Sequence, residues 1–218
     1  MGFSLSWVAV APEVEQALIG RLGLKAGTET SELAEFDLSA ARLRGWYLLV
    51  ADHTDALVDE QFLKELSCHG RVIAAMVEEH VMFSSAEEWS NGERVWGVIH
   101  VSDAGLYHIG VEGSLPEAYG SIHQKQFDKQ EKDGGKDAGV DHIIDIPLDL
   151  AAAITGYRHD REGPTFQEQE AAHALPDAKQ RPIDGASCDR GLDKRASMWY
   201  QQQQAAKPGF FGRLFGKG

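Results

Sequence analysis

Cysteine is scarce in this chain. Its 218 residues hold two, Cys68 and Cys188, far apart and in no Cys-x-x-Cys spacing. That argues against a disulfide framework and against a zinc knuckle. Two free thiols suit a reducing cytoplasm, the compartment expected here. Long apolar runs are also missing. No stretch approaches the roughly 18 residues of a membrane span, so no integral membrane segment is expected. The start, Met-Gly-Phe-Ser-Leu-Ser-Trp, has no Lys or Arg before its apolar run and so does not have the form of a secretory signal. Bases are outnumbered: 21 Lys and Arg face 34 Asp and Glu, a formal charge of -13. Such a body repels phosphate backbones, so no nucleic-acid partner is expected, and it suits a basic protein partner. The oligomeric state is left open.

Nucleotide and nucleophile motifs are missing too. The 23 glycines form no Gly-x-x-x-x-Gly-Lys-Ser loop and no dinucleotide fingerprint after a strand, and Ser84 and Ser85 lack a Gly-x-Ser-x-Gly elbow. No cofactor is expected, and no residue is assigned as a resident metal ligand.

What is present describes an ordinary globular core, with 43% apolar and 25% charged residues. Residues 3–10 alternate in a strand pattern, and Pro12 and Glu13 open a helix with Val14, Ala17, Leu18 and Leu22 on one face. Residues 26–38 read as loop. Residues 46–51 form a short continuous apolar run, as in a strand covered on both faces. Asp59 caps a helix carrying Phe62, Leu63 and Leu66. A strand over 71–83 follows, and strand, helix, strand predicts a parallel pair with a crossover. Two further strands, 94–102 and 106–112, flank Asp103-Ala-Gly105 as a three-residue hairpin loop. A third helix runs from Leu115 towards Gly134, residues 140–144 read as a last strand, and a fourth helix spans 148–154.

The fold class expected is therefore α+β: one domain with a mixed, mostly antiparallel β-sheet packed by about four helices, mainly on one face. Residues 1–156 make that core. Residues 157–206, where periodicity fades, make an irregular extension, and 207–218 a basic aromatic tail.

Two places carry candidate chemistry. The 71–83 strand sets Glu78, Glu79 and His80 among apolar residues, and a buried carboxylate needs a partner, with Arg71, Arg94 and Arg158 as candidates. The hairpin register puts His100 opposite His108 and Trp96 opposite Glu112. Glu79, His80, His100 and His108 would then share one centre able to hold zinc or iron or to transfer protons. The same residues also suit a half-wet sheet face or a structural network. The second place is the tail, where Phe210, Phe211, Leu214 and Phe215 share a face if it becomes helical, beside Arg213. That peptide would dock on a partner groove or on its own acidic body. The function expected is a non-catalytic, immunity- or adaptor-like protein-binding module of unknown partner. The alternative is a small metal-dependent or acid–base hydrolase using the His/Glu cluster.

Overall fold

The structure, a computed structural model, describes residues 2–172. Cys188 and the tail residues Phe210, Phe211, Arg213, Leu214 and Phe215 lie outside the described residues.

The fold is α+β, as expected. Nine strands make one sheet: β1 (Ser4–Val10), β2 (Leu24–Ser31), β3 (Leu38–Leu43), β4 (Trp46–Asp52), β5 (Val72–Glu78), β6 (Phe83–Ser90), β7 (Glu93–Val101), β8 (Gly110–Gly113) and β9 (Phe166–Ala171). Their order is β2-β9-β3-β4-β1-β5-β6-β7-β8. Among the described residues four α-helices accompany it: α1 (Glu15–Leu22), α2 (Glu60–Ser67), α3 (Ala118–Lys132) and α4 (Asp145–Thr155).

All neighbouring strands are antiparallel, which corrects the parallel pair expected around α2. β4 and β5 do run in the same direction, but β1 is threaded between them and pairs antiparallel with both. The crossover is therefore split by the first strand of the chain.

Helices cover both faces, not mainly one. Along β1, Leu5, Trp7 and Ala9 point one way and Ser6, Val8 and Val10 the other, and both sets are buried. α4 covers the first face: Ile146, Leu148 and Leu150 pack with Trp7, Ile73, Ala75, Val77, Trp96 and Val98. Leu18 of α1 and Leu63 and Leu66 of α2 are buried outside that cluster, over the side chains of the second face. Each fully buried Leu or Ile contributes about 1.5–3 kcal/mol of transfer free energy, so the centre of the sheet is the stable part of the fold. The α2 start is set as expected, with the Asp59 carboxylate accepting from the Phe62 N–H at 2.9 Å.

Four local expectations change. The expected 26–38 loop is strand up to Ser31, the greater part of β2. The single strand over 71–83 is two strands, with β5 ending at Glu78 and β6 beginning at Phe83 after a four-residue turn. The three-residue hairpin after β7 is instead a connection through a short 3-10 turn at Ser102–Ala104, and β8 starts only at Gly110. Trp96 then faces Gly113 and Gly97 faces Glu112, a one-residue slip from the expected register. Residues 140–144 form no strand and lead irregularly into α4.

The segment after α4, which lacks a sequence pattern, returns to the sheet. Tyr157 meets Trp7 edge-on at 5.5 Å and Phe166 at 5.9 Å, and all three are buried. Those contacts seat β9 between β2 and β3.

The outer strand β8 depends on one residue without a side chain. Gly113 has φ 72°, and a Cβ there would lie 2.1 Å from the Val95 carbonyl oxygen. Gly113→Ala is expected to cost about 1–3 kcal/mol in urea denaturation, with faster amide exchange in β8 than in β5. Equal stability would show that β8 adjusts freely.

Candidate functional site

The four candidate residues fall into two centres, with no hydrogen bond or ion pair between the two among the described residues. Cross-strand register puts Ser84 beside Val77 and His100 beside Ser84, on the face covered by α4. Glu78 faces the other way, with Ser4 and Phe83 as its cross-strand neighbours.

The first centre sits where β1 begins. The turn 79–82 carries Glu79 and His80, so neither is in mid-strand. The buried Glu78 carboxylate accepts from the Ser4 hydroxyl, from the His80 backbone N–H at 3.2 Å, and meets His80 Nδ1 at 2.6 Å. The His80 ring is otherwise in solvent, 62% exposed. Glu79 accepts from the Phe3 N–H at 3.0 Å, while its own N–H donates to the Phe3 carbonyl at 2.9 Å. None of the three arginines considered for Glu79 pairs with it: Arg71 grips Glu88, Arg94 pairs with Glu87 and Glu112, and Arg158 pairs with Asp145, Asp149 and Asp160. Its nearest cation-forming neighbour is His159, 3.9 Å away, beyond hydrogen-bond range. The His159 ring is 2% exposed, lies edge-on to Phe3 at 4.7 Å, and makes no hydrogen bond among the described residues. Burial is the main force that lowers its pKa; the Arg158 charge adds to it, and the Asp160 carboxylate opposes it.

The second centre lies under the approach to α4. The His100 side chain is fully buried. Its Nδ1 is 2.8 Å from the His108 carbonyl oxygen and its Nε2 is 3.0 Å from Asp141 Oδ2. Burial pushes the Asp141 carboxyl up, but the hydrogen bond and charge of His100 and the N–H groups of Ile143 and Ile144 outweigh it, and its pKa is lowered. Both ring nitrogens of His100 are thus committed to oxygen atoms, one on a backbone carbonyl and one on a carboxylate. Next to it, the Ser84 hydroxyl donates to the Ile144 carbonyl at 2.6 Å. His108 joins this centre through its backbone. Its ring has a lowered pKa, first from burial and then from the charge of His100.

This arrangement can fasten a connector to the sheet. His100 offers no free ring nitrogen, and Ser84 is directed at a backbone carbonyl rather than at an imidazole. Among the described residues no group of three or more His, Cys, Asp or Glu is placed to hold a metal ion. Asp141 and His159, which complete the two centres, read in the sequence as possible ligands on solvated polar flanks of a strand and a helix, and the structure instead buries both side chains. Only the tertiary fold brings a residue 41 positions away onto His100.

Comparison with known proteins finds no matching family model, no matching curated protein and no matching solved structure. Among the described residues no helix is long and apolar enough to cross a membrane.

Proposed function

We propose that this chain is a cytoplasmic, non-catalytic protein-binding module of the immunity or adaptor kind, and that its partner is basic. The observation that carries this is the open edge of the sheet at β2. Residues 1–172 hold 30 acids against 13 bases, a formal charge of -17. The β2 end concentrates that excess: Glu29, Glu32, Glu35 and Asp37 are exposed, with Glu168 and Glu170 on the adjoining β9 and Lys25 as the local base. Among the described residues β2 has a neighbour on one side only, β9. An open strand edge offers backbone donors and acceptors to an added strand, and the acidic fringe steers a Lys- and Arg-rich segment towards it. Exposed Leu33, 62% accessible, supplies an apolar contact beside the charges. The tail residues Phe210, Phe211, Arg213, Leu214 and Phe215 are proposed as a second contact with a partner.

The hydrolase alternative would need Glu79, His80, His100 and His108 around one open centre. Their division between two separate centres, with His100 enclosed, favours the binding reading. Glu29→Lys with Glu32→Lys tests it, since both side chains are exposed and folding should be unchanged. Affinity capture from the native host is expected to lose a partner that wild type retains, and raised salt should weaken the wild-type complex. Identical partner sets for both proteins would remove the β2 edge from the proposal.

A further inference from the structure

The second face of the sheet contains a cavity of about 420 Å³ beside α1. It exists because α1 is short and the strands beneath it carry small side chains. Three cross-strand pairs share this face: Ala26 with Gln169, Ala40 with Gln167, and Arg42 with Tyr47. Two alanines in those pairs leave room that larger side chains would fill. A volume near 420 Å³ lies at the small end of the range for ligand pockets, enough for a guest of metabolite size.

The chemistry of the walls narrows the guest. Glu15, at the start of α1, is buried with its carboxylate held by both terminal nitrogens of Arg42, one at 2.6 Å. The Arg42 side chain is 72% exposed and its guanidinium lies over the Tyr47 ring, 5.5 Å from the centroid. A guanidinium has five N–H donors, and two of them serve Glu15, so others are open to a carboxylate arriving from solvent. Burial, reinforced by the Glu15 charge, raises the Tyr47 pKa and keeps its hydroxyl protonated at neutral pH. On the floor, Gln167 Nε2 donates to the carbonyls of Gly27 and Glu29. What Gln167 offers a guest is therefore its amide oxygen, an acceptor. Ile19 and Leu24 make the apolar wall.

One cavity thus combines an open guanidinium, a carboxylate with an adjacent amide acceptor, and a small apolar surface. We infer that it binds a free α-amino acid with an aliphatic side chain: the carboxylate on Arg42, the ammonium towards Glu15 and Gln167, and the side chain on Ile19 and Leu24. A guest with one charge would satisfy one half of the Arg42–Glu15 pair and leave the other half facing like charge or nothing. This inference is independent of the partner proposed for the β2 edge.

Titration of the full chain with L-leucine, L-isoleucine and L-methionine, followed by amide NMR shifts, tests it. The amino acids are expected to shift Ala26, Arg42 and Gln167. 4-Methylpentanoate, lacking the ammonium, and 3-methylbutan-1-amine, lacking the carboxylate, should each bind at least about tenfold more weakly. Arg42→Gln should weaken binding by a similar factor. Ala26→Phe, at an exposed position that leaves the core intact, should block the cavity and abolish it. The inference is overturned if no amino acid shifts these amides at about 10 mM, if both truncated analogues bind as well as leucine, or if Ala26→Phe binds like wild type.

Discussion

Asp141→Ala is expected to lower the unfolding free energy by about 3–5 kcal/mol, the usual cost of removing one member of a buried ion pair. The partner left behind loses one of its two hydrogen bonds. His100 is fully buried, and without Asp141 its Nε2 is left unpaired while its Nδ1 stays committed to the His108 carbonyl. The loss extends to the backbone, because Asp141 Oδ1 accepts from the N–H of Ile143 at 2.9 Å and of Ile144 at 3.3 Å. Those bonds set the entry to α4, which carries much of the apolar cover on that face of the sheet. Asp141→Asn keeps the shape and removes the charge, so it should cost less than the alanine. In a double-mutant cycle with His100→Gln the two changes should couple by about 0.5–3 kcal/mol. The pH dependence has a definite sign. The folded-state pKa of Asp141 is lowered, so its contribution is present above the unfolded value of about 4 and is lost as pH falls through the folded value. The stability difference between wild type and Asp141→Asn should therefore shrink as pH falls below about 4. A difference that does not shrink below about pH 4 would contradict the pairing.

How legible this molecule is from its residues depends on where each strand lies. β1 and β4 are central, and their apolar patterns locate them closely. Asp59 marks the start of α2, and Gly23 and Gly156 stand directly behind α1 and α4. β2, Leu-Lys-Ala-Gly-Thr-Glu-Thr-Ser, is an edge strand with mostly exposed side chains, so burial imposes no alternation on it. β9 contributes Phe166, half-buried Gln167, Glu168 and Gln169, and exposed Glu170.

The turn between β5 and β6 is the more instructive case. Glu79-His80-Val81-Met82 contains no Gly, Pro or Asn, and Met82 takes φ 49°, a left-handed conformation with no local sequence signal. Two buried strands joined by such a turn look like one long strand, and Glu79 and His80 then look like polar groups in a core. The next turn did carry its signal. Asn91 and Gly92, both with φ above 50°, join β6 to β7 as a two-residue hairpin. That dipeptide ends a strand at Ser90 and so requires β6, which lies between β5 and β7 and parts His80 from His100. Asp141 and His159 have no such route. Their roles depend on packing between segments distant in sequence.

The second large effect is expected at Arg158. Its side chain is 6% exposed and its guanidinium is shared among Asp145 at 2.5 Å, Asp160 at 2.7 Å and the buried carboxylate of Asp149. Asp149 also accepts from Gln126 of α3 and from Arg161, so one cation ties α3, α4 and the start of the segment leading to β9. Arg158→Met keeps most of the packing and removes the charge, and should cost about 3–5 kcal/mol at pH 7 in urea denaturation. The more specific result is in the pH dependence. In wild type, burial pushes Asp149 and Asp160 up, but Arg158 outweighs it and both are lowered, so they stabilise above about pH 4 and that stability is lost as pH falls through their folded values. In the variant the carboxylates face one another without their shared cation. Like charges raise at least one folded pKa above its unfolded value, so protonation favours the folded form. The stability deficit of Arg158→Met relative to wild type should therefore shrink from pH 7 towards about 5, on top of the loss that buried His108 and His159 impose on both proteins. Parallel pH profiles for the two proteins would mean that the three aspartates already have other compensation, and that Arg158 serves by packing alone.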